Sequence, residues 1–303
     1  MIATTTGIRS SSSWLYWQQA MTTTEWNYMN YMISIGFIAH LRPFMLDIED
    51  KDIEDKDVEE YDFNYLLLHE EVDLLESIGF QLHNGVVVIP DSVTHIEQEE
   101  FTGYKYITKV IIPNSVTAIG EEAFYDCSFL TEVVIGDSVR KIGCRAFSGC
   151  RSLTKVLIGD SMTDIGQGAF SGCRSLTQVN IPDAVAHIGE DAFHGCRSLT
   201  QVNIPDAVTY ISDATFHGCR SLTQVNISNN VMEIGDRAFC GCRSLTQVII
   251  SDSVTYMGFD TFFGCLNLTE VVVPDSLYIA PGTFRDGIKL TLSSEVAYVS
   301  PLK

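Results

Sequence analysis

The chain has 303 residues, 46% of them hydrophobic, with 39 Asp and Glu against 19 Lys and Arg, for a formal net charge of −20. A surface this acidic repels phosphate, which argues against nucleic acid as a partner. No stretch reaches the roughly 18 apolar residues a membrane helix needs, and the best candidate, 33–41, is interrupted by Gly36 and His40, so no integral membrane segment is expected.

In chain order, the first residues are rich in Ser and Thr, and Arg9 is the only base before Glu25. No secretory signal is evident, which favours an intracellular location, with the cell surface as the alternative. Residues 47–62 hold ten acids against Lys51 and Lys56. Such a run is expected to be a solvated linker, so residues 1–63 are read as a poorly ordered or linker-like N-terminal segment. Leu66, Leu67, Leu68, Val72, Leu74, Leu75 and Ile78 follow at amphipathic spacing. Residues 64–85 are therefore expected to form a helical cap over the open first coil of a repeat array.

The array runs from 86 to 292, with 293–303 as a C-terminal tail. Phe101, Phe124, Phe147, Phe170, Phe193, Phe216, Phe239 and Phe262 recur every 23 residues, and Cys127, Cys150, Cys173, Cys196, Cys219, Cys242 and Cys265 keep the same period three residues later. A fixed period of this length means stacked coils, since one unit cannot bury its own apolar face. The cysteines are expected to face inward as reduced packing residues, leaving Cys144 and Cys240 as the exposed thiols. Phe284 arrives one residue early and Gly287 replaces the cysteine, which suits an atypical terminal coil.

Within one unit, Val202 and Ile204 alternate with Gln201 and Asn203, the period of a half-buried strand, and Pro205-Asp206 turns the chain. Val208 to Ile211 reads as a second short extended piece. Asp213 to Phe216 reads as one turn of helix, with Gly218 bringing the chain round. The expected fold is thus β-rich α/β: a solenoid of about nine 23-residue coils with short parallel strands and single helical turns.

The order Leu-x-x-Val-x-Ile, Pro-Asp-Ala-Val, Ala-Phe-x-Gly-Cys, as in Ile112 to Cys127 and Ile181 to Cys196, resembles the BspA-like, or Treponema-type, leucine-rich repeats over about two thirds of the chain. The resemblance implies a right-handed, curved solenoid, frequent roles in cell-surface attachment and protein binding, and no catalytic residues.

The residues themselves agree on the last point. His194 and His217 lie two residues before ladder cysteines, yet imidazole outside and thiol inside cannot converge on one metal. The acid pairs Glu99-Glu100, Glu121-Glu122 and Glu190-Asp191 read as solvated turn charge. No nucleophile set and no phosphate-cradling loop has a local signature, and no cofactor is implied.

Function is therefore sought on the outward columns. Ile111, Val134 and Leu157 are apolar at the outward strand position and are the leading partner-binding candidates, against cross-strand packing that merely stiffens the sheet. Thr177, Thr200 and Thr223 beside Gln178, Gln201 and Gln224 form a flat neutral ladder. Arg174, Arg197 and Arg220 belong to a basic column running from Arg151 to Arg243, balanced either by turn acids or by an acidic ligand. Two functions follow. One is a non-catalytic scaffold for a protein partner, and the other is adhesion or binding of a repetitive ligand, a glycan or ice, through the Thr/Gln ladders.

Overall fold

The computed structural model describes residues 81–294. The N-terminal segment, most of the expected helical cap and the end of the C-terminal tail lie outside the described residues.

In chain order the strands are β1 (Gln81–His83), β2 (Val86–Val88), β3 (His95–Ile96), β4 (Lys109–Ile112), β5 (Ala118–Ile119), β6 (Glu132–Ile135), β7 (Lys141–Ile142), β8 (Lys155–Leu157), β9 (Asp164–Ile165) and β10 (Gln178–Val179). They continue as β11 (His187–Ile188), β12 (Gln201–Asn203), β13 (Tyr210–Ile211), β14 (Gln224–Asn226), β15 (Glu233–Ile234), β16 (Gln247–Ile249), β17 (Tyr256–Met257), β18 (Glu270–Val273), β19 (Tyr278–Ile279) and β20 (Lys289–Leu292). From β2 onward, even-numbered strands stack on even and odd on odd, all parallel, one coil apart. Registers such as Val110↔Val133 and Ile119↔Ile142 follow the 23-residue period directly. The chain is the parallel β-solenoid its period implies.

Two local expectations change. Residues 81–85 are not helical: β1 pairs antiparallel with β2, and Asn84 (φ 51°) with Gly85 (φ 78°) makes the connecting turn. Asn-Gly takes two left-handed residues at little cost, so a two-residue hairpin forms here. The piece before each phenylalanine is a turn and not a turn of helix. The residue two before the phenylalanine is left-handed in every coil, from Glu99 (φ 58°) through Ala214 (φ 51°) to Gly282 (φ 75°), which breaks any helical run.

The amides of that turn are instead shared between coils. Ala214, Phe216 and Gly218 donate to the carbonyls of Asp236, Ala238 and Cys240 in the next coil at 2.8 Å. The intervening His217 and Cys219 close back on Ala214 and Phe216. This third ladder stitches the coils on the side away from the strands and satisfies backbone groups that would otherwise be orphaned.

The core is a file of rings. Phe147, Phe170, Phe193, Phe216 and Phe239 are fully buried and stacked nearly parallel, with centroids 5.4–5.5 Å apart. Each ladder cysteine is also buried, and its thiol donates to the carbonyl of the phenylalanine one coil back, as from Cys196 Sγ to Phe170 O at 3.2 Å. The thiol is thus more than packing, since it caps an acceptor inside the core.

Both strand ladders are interrupted between the same two coils, at β10/β12 and β11/β13. There Ser212 stands where Gly120, Gly143, Gly166, Gly189, Gly235 and Gly258 stand elsewhere. A Cβ at Gly189 would lie 2.5 Å from the Gln167 nitrogen of the coil before, and 2.8 Å from the Gly166 carbonyl carbon. Gly189 N donates to Ile165 O and Gly235 N to Ile211 O, but Ser212 reaches Ile188 O with its hydroxyl, at 2.6 Å.

Candidate functional site

The outward row of the even-numbered strands is the first candidate. Val88, Ile111, Val134 and Leu157 stand side by side in register on β2, β4, β6 and β8. Val88 and Leu157 are 45% and 46% exposed, while Ile111 and Val134 between them are half-buried. Sequence reasoning named the last three and missed Val88, whose coil is degenerate, although Val88 lies one period before Ile111. Ile249, 68% exposed, continues the row in the late coils beside Val272.

Alternating charges border the early row. Glu132 Oε2 meets Lys109 Nζ at 3.0 Å and Glu132 Oε1 meets Lys155 Nζ at 3.1 Å. Hydrogen bonds from these two lysines hold the Glu132 carboxyl below the usual range. A central apolar row with a polar border is the anatomy of a docking patch.

The neutral ladder is occupied differently from expectation. Thr177, Thr200, Thr223, Gln178, Gln201 and Gln224 are all exposed, but the hydroxyls of Thr108, Thr131, Thr154, Thr200 and Thr223 each donate to a carbonyl of the preceding coil, as from Thr223 Oγ1 to Thr200 O at 3.0 Å. Their protons are committed inside the protein. Gln224 and Asn226 are likewise engaged, Gln224 Nε2 donating to Asn226 Oδ1 and Asn226 Nδ2 to Asn203 Oδ1.

Arg151, Arg174, Arg197, Arg220 and Arg243 are exposed. The amides of Ser198, Ser221 and Ser244 each donate to the carbonyl of the arginine one coil earlier, at 3.1–3.2 Å, so the column is held in strict register. The turn acids do not balance it. Arg151 has Asp126 at 4.0 Å, while Arg174, Arg197, Arg220 and Arg243 have no ion-pair partner among the described residues. At one coil's separation, neighbouring guanidinium groups repel by roughly 0.8 kcal/mol in bulk water.

Outside the buried thiols, His194 and His217 stack with centroids 4.8 Å apart and planes 3° from parallel, and His194 Nδ1 lies 3.3 Å from Asp191. The histidines and the ladder cysteines occupy opposite sides of the coil wall. Among the described residues no group of three His, Cys, Asp or Glu is placed to hold a metal, and no helix is long and apolar enough to cross a membrane. Cys144 is exposed and Cys240 half-buried, with burial raising the Cys240 thiol and Asp260 adding to it.

A family model described as the BspA type leucine-rich repeat region matches residues 81–200 and 163–291, in six copies. No curated protein matches the chain. Among solved structures, a leucine-rich repeat protein of T. pallidum is 30% identical over 60% of this chain and 77% of its own, with a TM-score of 0.49. A leucine-rich repeat protein of Bacteroides ovatus is 25% identical over 67% and 76%, with a TM-score of 0.30. A leucine-rich cell surface protein of Faecalibacterium prausnitzii is 22% identical over 74% and 96%, with a TM-score of 0.28.

Proposed function

The chain belongs to the BspA-type leucine-rich repeat family, and on that premise we propose that it is a non-catalytic scaffold whose protein partner docks on the even-numbered strands of the early coils. The observation that supports this reading is the continuous outward row Val88, Ile111, Val134 and Leu157, bordered by Lys109, Glu132 and Lys155. Each strand is locked to its neighbours, so the row is rigid before binding and a partner loses little freedom on the solenoid's side. The apolar centre supplies contact area, and the alternating charges fix orientation more than affinity.

The test is saturable capture of a protein ligand by the immobilised full chain. The combined variant Ile111→Ser, Val134→Ser and Leu157→Ser is expected to weaken that capture about tenfold or more, with thermal unfolding close to wild type. Absence of any saturable ligand, or equal capture by the variant, overturns the proposal.

A further inference from the structure

We infer that the column Arg151, Arg174, Arg197, Arg220 and Arg243 is a track for a linear anionic polysaccharide that presents one carboxylate or sulfate per coil. Four of the five guanidinium groups have no acid within ion-pair distance among the described residues. Between Lys155 and Arg237, the only lysines or arginines in the sequence are Arg174, Arg197 and Arg220. Positive charge in these coils is thus confined to one line, and its mutual repulsion is relieved by an anion supplied from outside. Each guanidinium offers a planar fork of donors that matches a carboxylate or sulfate in a bidentate manner.

Two further observations shape the ligand. Ser152, Ser175, Ser198, Ser221 and Ser244 follow the arginines and are partly exposed, and among the described residues their hydroxyls make no hydrogen bond, so a second line of hydroxyls accompanies the charges. The backbone bonds from Ser198, Ser221 and Ser244 back to the preceding arginine carbonyls hold the step at one coil, and the rings beneath repeat at 5.4–5.5 Å. An extended peptide brings side chains to one face about every 6.6 Å, so an acidic peptide falls out of register by more than 1 Å per coil. A duplex nucleic acid carries a phosphate about every 1.7 Å of its axis, far denser than one charge per coil, and the acidic surround repels the excess. The remaining class of linear polyanion is a chain of sugars with one charge per ring. The track ends at Ser128 on one side and Leu266 on the other, which sets its length at five charged sugars.

Oligogalacturonates of increasing length, titrated against the full chain at low salt, are expected to gain affinity with each sugar up to five and then level off. Log affinity should fall linearly with log salt, as for any multiply charged ligand. The combined variant Arg174→Gln, Arg197→Gln and Arg220→Gln should bind at least about tenfold more weakly with a shallower salt slope, and Arg197→Gln alone should show a smaller loss. Arg140→Gln, off the column, should bind like wild type. The inference is overturned if no oligosaccharide binds, if length has no effect, if the triple variant retains affinity, or if polyglutamate or oligothymidylate of equal charge binds as well. The length series uses wild type alone, so misfolding of a variant does not blunt the test, and none of these outcomes bears on the partner row of β2 to β8.

Discussion

Phe193 touches a like ring above and below it, at 5.5 Å and 5.4 Å, and none of its surface reaches water. Truncation leaves a cavity walled by two rigid neighbours that cannot collapse into it. Phe193→Ala is therefore expected to cost about 3–5 kcal/mol, read as a lowered urea midpoint. The cysteines divide just as sharply. Burial pushes the Cys219 thiol up to about 12 and the thiols of Cys150, Cys173, Cys196, Cys242 and Cys265 in the same direction, whereas Cys144 is exposed. The thiolate is the reactive form, so alkylation of native protein near pH 8 should label Cys144 first and Cys240 slowly, reaching the ladder cysteines only after unfolding; mass spectrometry of the digest reads the order. The inward placement of both columns was legible from period alone. The thiol bond to the preceding phenylalanine carbonyl was not, because a repeat gives position and says nothing of which acceptor a side chain finds.

The turn leading to each phenylalanine shows where sequence reading falls short at the scale of an element. Its spacing of apolar residues suits one helical turn, but Glu122, Arg145, Asp191 and Arg237 all sit there with φ of 53–54°, and of these only Asp191 is a residue type that favours a left-handed backbone. Asn84-Gly85 is such an announcement, and it marks the hairpin of β1 and β2. Ser212 was visible as a break in a glycine column, but its effect needed the coil spacing. Ser212→Ala removes the hydroxyl that satisfies Ile188 O while keeping the Cβ, and is expected to destabilise by about 1–3 kcal/mol. Ser212→Gly restores the geometry of its neighbours and should be at least as stable as wild type, with denaturant melts deciding between the two. Ala280 keeps its bond to Met257 O at 3.0 Å, so a methyl is tolerated in the shortened last coil. The stacked imidazoles add a pH term. Burial first, then His194, lowers the His217 value below 6.5, with Arg237 acting the same way and Asp191 opposing. The unfolded chain takes the proton more readily, so stability should be flat above about pH 7 and fall as pH drops through 6.5 toward the lower folded value. His217→Gln should flatten that decline in urea melts at stepped pH.

For the molecule as a whole, stability is a sum over coils and their junctions, and the junctions are unequal. At the C-terminal end, Leu290 and Leu292 pair with the buried Val271 and Val273 yet are 44% and 40% exposed, because no further described coil covers them. Amides of β19 and β20 are therefore expected to exchange hydrogen fastest among the described strands, with protection rising toward the middle coils; uniform protection would contradict this. The unequal junction at Ser212 has a mechanical consequence. Thr163 and Ile165 each receive a backbone bond from the coil after them, and so do Thr209 and Ile211. At the β11/β13 junction neither of these backbone bonds is made, while the turn ladder runs through unbroken, from Asp191 N to Asp213 O and from Phe193 N to Thr215 O. A load pulling along the axis finds its weakest link there, on the strand side only. Under such a load the solenoid is expected to open first at that seam, hinging about the intact turn ladder.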